Sequence, residues 1–165
     1  KRLDNSLYLA KVSGRNKVVS NETLEMVASE KPMLIEWGPF FKSGNLQLDK
    51  DHHKLIDMSN AIIYNAFKKE KQEELFNLFF DLSKELMEHF VREEKILEEF
   101  AVDIYIEHQQ IHQDLVAKTL NLLERFQRGE IESMLVAEYL IKDAIVGHLI
   151  KNDFDFFYIF RGSQT

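Results

Sequence analysis

Residues that stop a helix are nearly absent from most of this chain. Its 165 residues include six glycines and two prolines, and both prolines, Pro32 and Pro39, precede a long body with apolar residues at helical spacing. Four stretches carry that spacing. The first runs from about Asp49 to Lys68 with Leu55, Ile56, Ser59, Ile62, Ile63 and Phe67 on its apolar side. The second covers about Gln72 to Phe100, with Leu75, Leu78, Phe79, Leu82, Leu86, Phe90, Leu97 and Phe100. The third spans roughly Val102 to Arg128 and is closed by Gly129; the fourth begins near Glu132 or Ser133 and is expected to continue to about Phe160. At about 1.5 Å per residue each reaches roughly 30 Å or more. Short connections between long helices favour an all-α fold, an antiparallel up-down-up-down four-helix bundle.

An appendage precedes the bundle. Leu3, Leu7 and Ala10 recur at helical spacing until Gly14, Arg15 and Asn16. Val18 and Val19 suit a short strand, and Ser20 or Asn21 can cap a brief helix carrying Leu24, Val27 and Ala28. From Met33 to Gly44 the chain reads as an extended connector crossing one end of the larger body. The divisions expected are 1–19, a linker with a short helix over 20–36, the helical domain over 37–160, and a tail over 161–165. The aromatic run Phe154 to Phe160 is expected to pack against the connector, or else to form a face for a helical partner or second copy. The charged run from Lys68 to Glu74 reads as a solvated helix junction.

Composition removes several kinds of chemistry. Without cysteine, there is no disulfide, iron–sulfur cluster, thiolate zinc site or cysteine nucleophile. A formal charge of −7 argues against a general nucleic-acid surface. No apolar run is long enough to cross a membrane and no signal peptide opens the sequence, so a cytoplasmic location is expected. The first residue is Lys1 rather than Met, so the chain is expected to be a piece of a longer polypeptide.

Five of six histidines fall inside apolar helical patterns. His89 and Glu93 share one face of the second helix, and His108 and His112 share one face of the third. His148 and Asp153 are five apart on the fourth, so the aspartate must lean back toward the histidine. His52 lies one turn inside the first. In an antiparallel bundle these positions fall at the same end. A lone core histidine is ordinarily bonded to a backbone carbonyl, and a lone Glu93 would ordinarily be solvated. Seven such groups at one end of four helices instead call for a metal. His53 points about 100° from His52 and is expected to be exposed, with Glu94 and Lys151 as solvated neighbours.

Five imidazoles and two carboxylates are too many for one ion. If Glu93 and Asp153 bridge two irons and an oxo or hydroxo group bridges them as well, two six-coordinate irons retain one open position where O2 can bind. Imidazole with carboxylate suits iron better than calcium or magnesium, and zinc is the main rival. A surplus of histidine over carboxylate weighs against an oxygenase-type centre.

Residues 37–153 resemble a hemerythrin-like domain of the bacterial type. The resemblance rests on Trp37 ahead of the first helix, Asp49 to His52, His89-Phe90-Val91-Arg92-Glu93-Glu94, His108 to His112, and His148 to Asp153. It implies a non-haem di-iron centre that takes up O2 reversibly and also accepts small anions such as azide. One iron would be held by His108, His112 and His148, the other by His52 and His89, with Glu93 and Asp153 bridging. The sequence departs from that family at Asp51, where glutamine is usual, at the additional His53, and at Val102-Asp103, where a Tyr-Pro pair is usual. Asp51 lies beside the first ligand and is placed to shift the iron potential.

Arg2 to Lys11, followed by Gly14-Arg15-Asn16, resembles the closing helix and strand of a GGDEF diguanylate cyclase domain. The catalytic motifs of such a domain would lie upstream, so no catalytic residue is expected within this chain. Together the two resemblances imply an oxygen or redox sensor that regulates cyclic di-GMP synthesis by an attached cyclase, in a protein that acts as a dimer. The alternatives are storage or delivery of O2 or iron without signalling, and reduction of peroxide or nitric oxide at the metals.

Overall fold

The structure, a computed structural model, describes residues 31–100 and 105–161. The cyclase-like ending at 1–19, the helix expected around Leu24 to Ala28, the Val102-Asp103 junction and the end of the tail lie outside the described residues.

The described residues are helical, with no strand among them. A single turn of 3₁₀ helix at Pro39–Phe41 leads into α1 (Leu46–Lys68), α2 (Gln72–Glu99) and α3 (Tyr105–Gln127). Helix α1 begins one turn before the predicted Asp49, because Asn45 is a strong cap. Its side chain accepts from the backbone N–H groups of Gln47 and Leu48 at 2.9 and 3.2 Å. Asp49 instead ties down the connector: its carboxylate accepts from the backbone N–H and hydroxyl of Ser43 at 2.6 and 2.7 Å.

Helices α1 and α3 end in the same way. Beyond α1, Lys69 takes a left-handed conformation (φ 56°), with Lys69 N bonded to Ala66 O and Glu70 N to Asn65 O. Beyond α3, Gly129 does so at φ 70°, with Gly129 N on Phe126 O and Glu130 N on Arg125 O. Both are Schellman endings. Only the second is announced by glycine.

The fourth stretch departs from its expected form as one helix to Phe160. It divides into α4 (Ser133–Tyr139), a π turn over Leu140–Ala144, α5 (Val146–Lys151), a 3₁₀ turn at Asp153–Asp155, and α6 (Tyr158–Arg161). In the π turn Ile145 N reaches back five residues to Leu140 O at 3.0 Å, which inserts an extra residue and rotates everything after it. The carbonyl of Lys142 comes so close to Gly147 that a Cβ there would lie 1.9 Å from its oxygen. Glycine is what lets the chain close over the π turn.

Helix α1 packs on α2 and α4, and α3 packs on α2 and α4, so the core has helices on all sides. One apolar cluster fills most of it, with Leu55, Ile62 and Ile63 of α1, Phe79, Leu82 and Leu86 of α2, Phe126 of α3, and Val136 and Leu140 behind them. A smaller cluster joins Leu48, Leu97, Phe156, Phe157 and Phe160. The aromatic run therefore packs on the start of α1 and the end of α2, while Phe154 and Tyr158 face outward. Phe100, expected in the core, is also exposed. The charged residues from Lys68 to Glu74 are solvated, as predicted.

The connector runs along α1 instead of only crossing an end. Ile35 exchanges two hydrogen bonds with the Asn60 side chain, N to Oδ1 at 2.7 Å and Nδ2 to O at 2.9 Å. Further along, Phe41 is fully buried and its turn rests on α5. No described helix is long and apolar enough to cross a membrane.

Candidate metal centre

Between the two apolar clusters lies a layer of buried polar side chains. His52, His89, Glu93, His108, His112, His148 and Asp153 are each at most 2% exposed. His52 comes from the second turn of α1. His89 and Glu93 share one face in the last third of α2, and His108 and His112 share one face at the start of α3. His148 lies mid-way along α5, directly after Gly147. Asp153 reaches it by a break in the helix: α5 stops at Lys151, and the following 3₁₀ turn carries the carboxylate back toward His148.

Two groups result. Glu93, His108, His112, His148 and Asp153 form one, and His52, His89, Glu93 and Asp153 the other; within each, one ligand atom per residue lies within 4.8 Å of all the rest. Glu93 and Asp153 belong to both. Around Glu93 Oε2, His112 Nε2 lies at 3.2 Å, His108 Nε2 at 3.3 Å and His89 Nε2 at 3.8 Å. Around Asp153, His148 Nε2 lies at 2.9 Å, His108 Nε2 at 3.4 Å and His52 Nε2 at 3.8 Å. All seven residues picked out from the sequence are thus brought together.

The far side of two rings decides which nitrogen faces inward. His52 Nδ1 lies 3.2 Å from the carbonyl oxygen of Phe41, which can only accept, so the ring proton sits on Nδ1 and Nε2 is bare. His112 Nδ1 lies 2.8 Å from Glu94 Oε1, with the same consequence. Burial keeps both rings neutral by pushing their pKa values down. His89 Nδ1 faces Asp51 Oδ2 at 3.6 Å. Asp51 is itself bonded to Arg92 Nε at 2.7 Å and to Gln47 Nε2 at 2.9 Å. Burial works against its ionisation, but His89 and Arg92 outweigh it and hold the carboxyl at about 2.

Bare imidazole nitrogens aimed at carboxylate oxygens in a dry interior repel unless a cation lies among them. His112 Nε2 even faces His148 Nε2 at 3.0 Å. Among the described residues His52 Nε2, His89 Nε2 and Glu93 Oε1 find no hydrogen-bond partner. A buried group left so costs about 1–3 kcal/mol. Charge points the same way. Burial opposes ionisation of Glu93 and Asp153, yet the surrounding imidazoles hold both carboxyls below their ordinary range. Burial likewise opposes protonation of His89 and His148, yet the neighbouring carboxylates hold both rings above theirs. Two carboxylates demand two positive charges, one in each group, and protons supply them only in the absence of cations. The donor set can therefore hold metal ions, and nitrogen with carboxylate oxygen suits a first-row transition metal.

Aromatic rings wall the layer. Phe90 stacks on His112 with centroids 3.9 Å apart, and Phe156 meets His108 edge-on at 5.1 Å. One neighbour differs from expectation. Glu94, read as solvated, is half-buried and orients His112, while its other oxygen accepts from Gln109 at 3.0 Å. Its position directly after Glu93 is the signal that was available; only the closeness of α3 gives it a role. The carbonyl of Phe41 could not be read from sequence at all. His53 is exposed as expected and stacks on Trp37 at 3.7 Å, and Lys151 is exposed too. No family model and no curated protein matches the chain.

Proposed function

We propose that this chain carries a non-haem di-iron centre of the hemerythrin-like kind, in an antiparallel up-down four-helix bundle over residues 37–160, and that the centre senses O2 or redox state. One observation carries the reading: two groups of buried histidines share the same two carboxylates. His108, His112 and His148 would hold one iron, His52 and His89 the other, and Glu93 and Asp153 would serve both. Antiparallel order is supported by cross-links whose numbers rise on one helix as they fall on the next: Asp51 with Arg92 and Lys54 with Glu85 between α1 and α2, and Gln72 with the Phe126 carbonyl and Glu94 with Gln109 between α2 and α3.

When bound, such an iron pair supplies a reversible one- or two-electron couple and an open position for O2 or a small anion. The protein's own part is physical. Glu93 and Asp153 would offset two of the cationic charges. Phe41 O and Glu94 hold His52 and His112 in the tautomer that presents Nε2 inward, and Asp51 places a negative charge behind His89. Phe90, Phe156 and Phe157 keep water out. Five imidazoles against two carboxylates favour reversible binding over the stabilisation of high-valent iron.

The signalling half rests on the resemblance of Arg2 to Asn16 to the end of a diguanylate cyclase domain. Residues 17–36 are then the covalent route from the metal site to the cyclase. Iron content, with absorption spectra before and after reduction and air exposure, tests the centre. Two irons per chain and a spectrum that changes reversibly support it; zinc, or no metal, ends it. Cyclase turnover in the longer polypeptide, compared in reduced, oxidised and air-exposed forms, tests the sensing, and identical rates would reduce the function to storage.

A further inference from the structure

The two histidine groups differ on their outer side. Glu94, behind His112, has a side chain 20% exposed and accepts a hydrogen bond from Gln109. Asp51, behind His89, is 5% exposed and is gripped by Arg92, whose guanidinium also reaches Glu85 at 2.9 Å and Glu88 at 3.5 Å. Lys54 pairs with that same Glu85. Arg92 in turn lines a solvent-open groove of about 550 Å³ between α1 and α2, whose other walls include Gln47, Lys50, His53 and Glu88. A buried carboxylate facing His89, capped by one arginine, thus connects the metal layer to the surface. The Nδ1–Oδ2 separation of 3.6 Å is too long for a full hydrogen bond, so Asp51 acts on His89 through charge.

Resting on the di-iron reading, we infer that Asp51 and Arg92 form a positioning pair that sets the reduction potential of the iron held by His52 and His89. A negative charge behind an imidazole makes the ring a better donor and favours the more highly charged, oxidised metal, which lowers the potential. Arg92 offsets part of that charge. Asparagine or glutamine at position 51 would leave His89 a neutral neighbour and Arg92 without its buried partner. The pair acts on one iron of the two, because no such contact connects Asp51 to His108, His112 or His148 among the described residues.

Parent, Asp51→Asn, Arg92→Gln and the double variant, each loaded anaerobically with ferrous iron, distinguish the alternatives. Iron per chain and the midpoint potential from spectroelectrochemical titration are the two readouts. All four should hold iron at the parent level. Asp51→Asn should raise the midpoint and Arg92→Gln should lower it. The double variant should fall with Asp51→Asn, because Arg92 acts through Asp51. Unshifted midpoints, shifts in the same direction, or an Arg92 effect that persists without Asp51 would each overturn the inference. So would iron loss from either single variant, which would make the pair a purely structural brace. A parent that takes up no iron is a different failure, that of the di-iron reading itself, and is seen before any variant is compared.

Discussion

The two halves of this interior are equally dry and differ in how their polar groups are satisfied. In the larger apolar cluster three hydroxyls bond to backbone carbonyls, and the buried Ser59 Oγ alone is left without a partner among the described residues. Thr119 donates to Leu115 O at 2.7 Å, Tyr139 donates to the same carbonyl at 3.2 Å, and Ser83 donates to Phe80 O at 2.7 Å. In the histidine layer, nitrogens and carboxylate oxygens face one another with neither enough protons nor enough donors. The first half is complete as polypeptide but for one hydroxyl, that of Ser59. The second has the donors to hold a cation, and without one the helices that pack well in one place carry a standing cost in another.

The largest expected effect breaks the polar half alone. Glu93→Ala removes an oxygen donor shared by both groups, and under the proposed di-iron reading iron per chain should fall well below two. His53→Ala, which changes an exposed ring stacked on Trp37, should leave iron at the parent level. Metal analysis of both decides it, and full retention without Glu93 would contradict its shared role.

Next in size is a cut in the apolar half. Phe79 is fully buried, and Phe79→Ala should cost about 3–5 kcal/mol in urea unfolding. The cost should be the same whether or not metal has been stripped with a chelator. A markedly different value in the stripped protein would mean the two halves do not unfold as one unit.

Gly147→Ala probes the junction between the halves. Its Cβ would collide with the Lys142 carbonyl, so the π turn must shift and His148 with it. About 1–3 kcal/mol of stability should be lost, together with metal affinity. Equilibrium dialysis against a competing chelator measures the second, and unchanged affinity would detach the π turn from the site.

The smallest effect appears in alkali. Burial is the main force pushing Tyr139 up to about 12, partly opposed by its bond to Thr119. The unfolded chain loses that proton near 10, so stability is present below pH 10 and declines as pH rises toward 12. In Tyr139→Phe this component should vanish, at a cost of about 1 kcal/mol near neutral pH. Urea midpoints measured against pH for the two proteins give the difference directly. A parallel decline in both would place the alkaline response elsewhere.

Much of the architecture was legible from side-chain type alone. Leu55, Ile56, Ile62 and Ile63, and again Leu75, Phe79, Leu82 and Leu86, are buried where the helical spacing puts them. Local chemistry also misled. Asp49 looks like a helix start, yet Asn45 caps α1 and Asp49 holds Ser43. The break after Tyr139 has no proline to announce it, since its one sign, Gly147, lies beyond the turn it permits. Phe156, Phe157 and Phe160 were recognisable as a buried face, but not which helices would cover them.

By itself the sequence determined four helical stretches and seven polar groups on their inner faces, because periodicity and side-chain chemistry are local properties of a helix. Only the tertiary structure decided that Glu93 and Asp153 are shared by two groups, that Glu94 orients His112, and that Asp51 stands behind His89 with Arg92 over it. Those relations depend on the rotation of each helix against its neighbours. A rotation is set by how whole faces pack, and no single stretch of sequence contains it.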